Sequence, residues 1–255
     1  MTGAAPAALP EQFLSDGGLA RYEIPTWRDE LGIVAGVTAA RDGFDLRLDP
    51  DQPDDAVTAR WAGLPRRLGA GLSGVVVSRQ VHGARLGLHR EPHDGVRVLD
   101  GLDGHVSDAG GLLLAVTVAD CVPVYLADPA GGALGLLHAG WRGVAAGVLE
   151  AGIERLCELS GTAPCQIVMH CGVSICGACY KVGPEVFEAV VGEPREAPTG
   201  LDLREVLRLR ALALGLERVT LSPWCSAHDA SEFYSHRRSG GRDGRMAAYL
   251  GRPMP

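Results

Sequence analysis

Apolar positions along this chain gather into short continuous runs bounded by glycine. "GVVVSRQVHG" (74–83) and "GGLLLAVTVADC" (110–121) are partly β-branched, the pattern of strands buried on both faces. "GIVAGVTAA" (32–40) predicts a first strand and "FDLRL" (44–48) a second. Between these and the central runs, "PDDAVTARWAGLPRRLG" predicts a helix opened by Asp54 or Asp55 and closed by Gly69. "VPVYLAD" and "ALGLLHAG" flank the turn "DPAG", whose Asp, Pro and Gly suit a type I turn. Helical periodicity then runs from Trp141 to Leu159 and stops at "SG". "IVMHCGVSICGACYKVG" reads as a strand entering a loop, with a short helix after Pro184. In "LDLREVLRLRALALGLERV", Asp202 and Glu205 fit a capping box with Asp in place of Ser or Thr. A polar, glycine-rich tail precedes a final short strand.

The chain shows no internal repeat and no dividing linker, so the pattern predicts one α/β (α+β) domain with mixed sheets over 21–255. Residues 1–20, rich in Ala, Pro and Gly, read as a flexible N-terminal segment.

Composition narrows the function. With 255 residues, 46% of them hydrophobic, the chain has material for a sizeable core. Its net charge of -7 is spread without a basic block, which argues against nucleic-acid and membrane partners. The N-terminus lacks the pattern of a secretory signal and no apolar run reaches membrane-span length, so a cytoplasmic protein is expected. Seven cysteines, an odd number, point to free thiols or metal ligands in that compartment.

Three apolar runs end in a metal-capable residue: His82, Cys121 and His138. A hairpin with a two-residue loop at Pro129 and Ala130 would place Cys121 directly opposite His138, where Cβ atoms lie about 5 Å apart. With His82, two imidazoles and one thiolate would hold a zinc ion and leave its fourth position open. Copper is compatible with the same donors.

"SRQVHG", "VTVADCVPV", "LLHAGWRGVAAGVLE" and "FYSHRRSGGRDGRMAAYL" resemble the YfiH-type family, also called laccase-like proteins, multicopper polyphenol oxidoreductases or peptidoglycan editing factors. The resemblance covers most of the chain from about residue 33. It implies a CNF/YfiH-like layered α-β-β-α sandwich and a zinc-dependent enzyme acting on purine nucleosides. The implied reactions are phosphorolysis of adenosine, inosine and methylthioadenosine, and deamination of adenosine, with His82, Cys121 and His138 as catalytic metal ligands. The implied partners are a purine nucleoside and phosphate, with the chain a monomer or homodimer. Two stretches depart from the family pattern: "VTAARDGFDLRL", where Thr38 and Arg41 would wall the substrate, and Lys181 at a usually acidic position.

Further roles follow from position. Arg142, in the turn that opens a helix, is the phosphate candidate. Asp103, in "GLDGHVSD", matches an acidic position of the family and is the proton-shuttle candidate. Gln80, two residues before His82, shares its face if the strand is regular, and would bind ligand or cap the strand end. Trp141 is expected to pack beneath the helix start; Arg237, Arg238 and Arg242 read as an exposed basic loop or part of the cleft. Three rivals stand beside this reading. Cys171, Cys176 and Cys179, with Cys225, have the spacing of a plant-type iron-sulfur set. Cys121 beside His138 could serve a cysteine hydrolase or a peptidoglycan-editing activity. Copper polyphenol oxidation is the third, and eight histidines without a His-x-His pair do not support it.

Overall fold

The computed structural model describes residues 11–49, 54–130 and 132–254. Among the described residues fifteen strands form two large sheets and one small ladder. The first sheet contains β1 (Gln12–Asp16), β2 (Leu19–Glu23), β3 (Val34–Thr38), β4 (Gly74–Arg79), β6 (Gly95–Asp100), β8 (Leu112–Val118) and β15 (Met246–Gly251), in the order β1-β2-β3-β15-β8-β4-β6. The second contains β5 (Gly87–His89), β7 (Gly104–Ser107), β9 (Val122–Ala127), β10 (Leu134–Ala139), β11 (Val168–Cys171) and β14 (Arg218–Leu221), in the order β14-β11-β9-β10-β7-β5. Each mixes parallel and antiparallel neighbours. β12 (Lys181–Val182) and β13 (Thr199–Gly200) pair with each other.

The continuous apolar runs are explained by alternation between two cores. Val76, Leu114, Val116, Ala248 and Leu250 face Tyr125, Ala127 and Leu136 in the layer between the sheets. Their neighbours Val75, Val77, Leu113, Ala115 and Tyr249 turn outward onto Trp61, Leu64 and Leu68 of α2 (Asp55–Leu68). On the far side, Val124, Leu126 and Leu137 pack with Leu149, Ile153 and Leu156 of α4 (Val148–Ser160). Phe187 of α5 (Pro184–Val191) and Leu207 of α6 (Leu203–Ala213) complete that layer. The result is the expected α-β-β-α sandwich; strands covered on both faces need no polar alternation. Short helices α1 (Pro25–Leu31), α3 (Trp141–Ala145) and α7 (His236–Ser239) complete the set. Among the described residues no helix is long and apolar enough to cross a membrane.

Several local expectations are corrected. Within the segment read as flexible, residues 11–20 carry β1 and the start of β2, while 1–10 lie outside the described residues. Buried Glu11 accepts a hydrogen bond from the Ser222 hydroxyl and lies 3.3 Å from His170 Nε2. "FDLRL" forms no strand: the Asp45 carboxylate takes the Arg47 and Arg245 amides, and the backbone bond to the chain opposite is that of the Leu46 amide to the Arg245 carbonyl. The helix expected over 141–159 is two helices, because Gly147 adopts φ 83° between α3 and α4. Asp202 caps α6 through the Arg204 amide, but Glu205 pairs with Arg208 instead of reaching back. Finally, the hairpin closes on Asp128 and Ala133 and pairs His138 with Pro123. The register is shifted by two, which keeps every side chain on its face.

Glu11→Ala should leave His170 and Ser222 with an unmet buried partner. A loss of about 1–3 kcal/mol in urea unfolding is expected, whereas a frayed terminus would show none.

Candidate active site

The site forms where β4, β8 and β10 end. His138 sits one residue before the end of β10, buried, and its Nδ1 lies 2.9 Å from Asp103 Oδ1. The same carboxylate accepts the backbone N–H groups of Val81 (3.2 Å), His82 (2.9 Å) and Gly83 (2.7 Å). These bonds hold His82 in the left-handed region at φ 61°. Asp120, beside Cys121, has φ 87°; among the described residues these are the two non-glycine positions with positive φ. Such backbone strain persists where the surroundings over-determine it, commonly at functional sites. Asp120 is fixed by Ser226 Oγ (2.6 Å) and the Arg237 amide (2.6 Å).

The ligand atoms of His82, Cys121 and His138 all lie within 4.8 Å of one another, and the imidazole centroids are 4.9 Å apart. Two glycines of "HAGWRG" make this approach possible. A Cβ on Gly140 would meet His82 Cδ2 at 2.9 Å and Cys121 Sγ at 3.0 Å, and one on Gly143 would meet the Gly83 carbonyl at 2.9 Å. Burial would push the Cys121 thiol up, but facing His138 and His82 outweigh it and bring it down to about 6. Burial likewise disfavours the His138 cation, yet Cys121 and Asp103 raise it to about 9. Without metal each group therefore favours the charged form of the other. The donor set suits zinc: two imidazoles, one thiolate and a carboxylate on the outer nitrogen of one histidine.

A cavity of ≈ 670 Å³ opens over these residues. Among the described residues Arg47, Arg79, Arg142, Arg237 and Arg245 line it, against the carboxylate of Asp120, and Arg79 also pairs with Asp100 at 2.9 Å. The buried Nε donors of Arg47 and Arg79 have no partner among the described residues. Arg245 has its pKa lowered, first by burial and then by the charge of Arg47. An acidic chain thus carries a strongly cationic pocket. Trp141 and Tyr180 line its walls, each with an arginine over its ring: Arg142 at 4.4 Å and Arg237 at 4.9 Å.

The structure brings together His82, Cys121, His138, Arg142 and Gln80 on the cavity wall. Gln80 clamps Thr117, donating to its carbonyl (2.9 Å) and accepting from its amide (2.7 Å), so it ties β4 to β8. It does not share a regular strand face with His82, because β4 ends at Arg79. Asp103 is fully buried and both its oxygens are engaged, so it positions His82 and His138. Arg41 lies away from the cavity: it forks onto Glu232 (2.6 and 2.9 Å) over the Phe13 ring. Thr38 is buried and accepts the Ala247 amide. Trp141 packs against the outer core as well as lining the cavity. Arg237 reaches the cavity, whereas Arg238 holds the carbonyls of Ser226 and Phe233. The five-residue α3 offers Arg142 little helix dipole. Sequence reasoning missed Arg47, Arg79, Arg245, Asp120 and Tyr180. Arg79, Asp120 and Arg245 stand within or beside the quoted motifs, but nothing in their spacing says which way they face.

The iron-sulfur set is also corrected. Cys171 is buried on β11 and apart from the other cysteines, because the strand pairs it with Val124 and Leu221. Cys176, Cys179 and Cys225 instead group with His228.

The described residues form a two-sheet α/β domain that groups His82, Cys121 and His138 at the wall of a cationic cavity, and the chain's relatives include proteins named as enzymes. The chain belongs to the family described as multi-copper polyphenol oxidoreductase laccase, whose model matches residues 34–253. Purine nucleoside phosphorylase YlmD of Geobacillus stearothermophilus is 34% identical over 254 residues, covering 87% of this chain and 90% of that one. Adenosine deaminase RL5, from an unknown prokaryotic organism, is 32% identical over 201 residues, covering 71% and 76%. The crystal structure of YlmD from Geobacillus stearothermophilus superposes with a TM-score of 0.82 at 30% identity, covering 96% of this chain and 100% of that one. That of YfiH from Bacillus licheniformis gives 0.82 at 27% identity, covering 94% and 98%.

Asp103→Asn should weaken metal binding at His138 by about 10–100-fold in competitive chelator titration. Unchanged affinity with a selective loss of turnover would return Asp103 to a proton-transfer role. In metal-stripped protein, alkylation of Cys121, followed by peptide mapping, should rise with pH around a midpoint of about 6. The thiolate persists above that pH and is lost below it. Added zinc should suppress the reaction.

Proposed function

We propose that this chain is a zinc-dependent purine nucleoside enzyme. It would split adenosine, inosine or methylthioadenosine with phosphate, giving the free base and ribose-1-phosphate or methylthioribose-1-phosphate, and would also deaminate adenosine. The observation that carries the reading is a group of two histidines and one cysteine able to hold a metal, at the wall of an arginine-lined cavity of nucleoside size. Relatives named purine nucleoside phosphorylase and adenosine deaminase support it.

His82, Cys121 and His138 would hold the metal, which when bound supplies a Lewis acid or an activated water. The chain's own groups do the rest. Arg142, with Arg47, Arg79 and Arg245, would hold phosphate against its neighbours' repulsion and steer it to the sugar. Trp141 and Tyr180 would shape the slot for the base. Asp103 would keep His138 in the tautomer that presents its Nε2 to the metal. Copper could occupy the same donors, so metal analysis is part of the test.

A second reading is favoured by the pairing of Cys121 with His138, backed by Asp103. In metal-free protein this is the arrangement of a cysteine nucleophile and its base, and it would suit a hydrolase or peptidoglycan-editing role.

With adenosine and phosphate, chromatography should show adenine and ribose-1-phosphate, or inosine. Cys121→Ala should lose the zinc of this site together with those products. Arg142→Ala and Arg245→Ala should raise the KM for phosphate about tenfold, the worth of one charge-assisted hydrogen bond, with little change for nucleoside. Zinc-free wild type acting as a thiol hydrolase would favour the second reading.

A further inference from the structure

Cys176, Cys179, Cys225 and His228 place three sulfurs and a ring nitrogen within 4.8 Å of one another, away from His82, Cys121 and His138. We propose that these four residues bind a second, structural zinc ion that clips together two loops behind the active-site cavity.

The donor chemistry is that of a closed site. Three cysteines and one histidine fill all four positions of tetrahedral zinc, leaving none for water or substrate. Zinc–sulfur bonds of about 2.3 Å at tetrahedral angles separate neighbouring sulfurs by about 3.8 Å and sulfur from nitrogen by slightly less. His228 Nε2 lies 3.1 Å from Cys179 Sγ and its Nδ1 3.7 Å from Cys176 Sγ, so small rotamer changes suffice. Backbone geometry supports the sulfurs as well. The Cys176 amide points at Cys225 Sγ (3.3 Å), and the amides of Ala178 and Cys179 point at Cys176 Sγ. Amides directed at sulfur stabilise thiolate ligands, and the turn that supplies them is closed by the Cys179 and Tyr180 amides bonding to the Cys176 carbonyl. Three thiolates and zinc leave one net negative charge. Arg204 lies close enough to act electrostatically on Cys176 and Cys225, and is itself anchored on the carbonyls of Ser222 and Trp224.

The position gives the clip a purpose. Segment 175–180 supplies Ile175 and Tyr180 to the cavity wall, and the Ile175 amide bonds the Asp120 carbonyl next to Cys121. Segment 225–228 supplies Ser226, whose hydroxyl holds the Asp120 carboxylate in its left-handed conformation. Apart from one bridge between Ser174 and Cys225 and the Ser226 amide on Ser174, no ladder joins these loops among the described residues. A metal would lock both against Asp120.

The test is zinc stoichiometry on full-length protein purified under reducing conditions without added metal, with Cys121→Ala separating the two sites. Wild type should hold two equivalents, one for each donor group. Cys121→Ala should keep one, and X-ray absorption of that zinc should show three sulfurs and one nitrogen. Cys179→Ser and His228→Ala should each lose one equivalent and melt at lower temperature. Exposed His228 tolerates truncation sterically, so its variant remains informative if Cys179→Ser fails to fold. The proposal is overturned if Cys121→Ala retains no metal, if His228→Ala keeps the full wild-type complement, or if mass spectrometry finds a disulfide among these cysteines. A brown protein with iron and sulfide in this group would overturn it equally.

Discussion

One buried carboxylate holds the candidate site together. Asp103 precedes β7 and takes no part in any apolar core, yet its oxygens accept three consecutive amides from the 81–83 turn and face His138 Nδ1. Burying a carboxylate is costly unless its lone pairs are met, and here four donors meet them. Burial would raise the Asp103 pKa, but His138 and the amides of Gly83 and Val81 leave it lowered, so the charge stays in place. Through that one group, the end of β4 in the first sheet and the end of β10 in the second are fixed to each other.

The sandwich converts this local bond into a site. Strands covered on both faces are rigid, so their ends are dependable places from which to present ligands. Gly140 and Gly143 then allow α3 to start within contact distance of His82, Cys121 and the Gly83 carbonyl. The run "LLHAG" ends in glycine because a side chain there would occupy the space of the His82 ring and the Cys121 sulfur. The cost of the arrangement is backbone strain at His82 and Asp120, each restrained by its own hydrogen bonds. Around this centre, arginines from the 47–48 segment, β4, α3, α7 and the approach to β15 converge. The charge of Arg47 lowers the pKa of Arg245, and such a concentration of cations is an electrostatic preference for an anion.

Much of this was legible in the chain. Glycine-bounded apolar runs located β4, β8, β9 and β10, because a strand buried on both faces has no choice but to be apolar throughout. The helix over α2 and the cap at Asp202 were also readable, since both depend on neighbours only a few residues away. His82, Cys121 and His138 stood out as metal-capable residues at strand ends, and despite a register wrong by two the ligand atoms of Cys121 and His138 do lie within 4.8 Å of each other. By contrast, β1 was hidden in an Ala- and Pro-rich terminus, "FDLRL" imitated a strand, and Gly147 split a helix whose periodicity ran straight through it.

By itself, then, the sequence determined what local periodicity and residue chemistry can encode: the buried central strands β3, β4, β8, β9, β10, β11 and β15, most helices and the three candidate ligands. Only the tertiary structure decided the roles that depend on convergence from distant positions. It placed the Asp103 carboxylate on His138 and on the amides of the 81–83 turn, moved Arg41 out to Glu232, and gathered five arginines onto one cavity. It also exchanged Cys171 for His228 beside Cys176, Cys179 and Cys225. Spacing along the chain suggested a cysteine set, but a strand buries Cys171 in the core while a loop carries His228 across to the others. Side-chain direction is set by the fold, and no local pattern contains it.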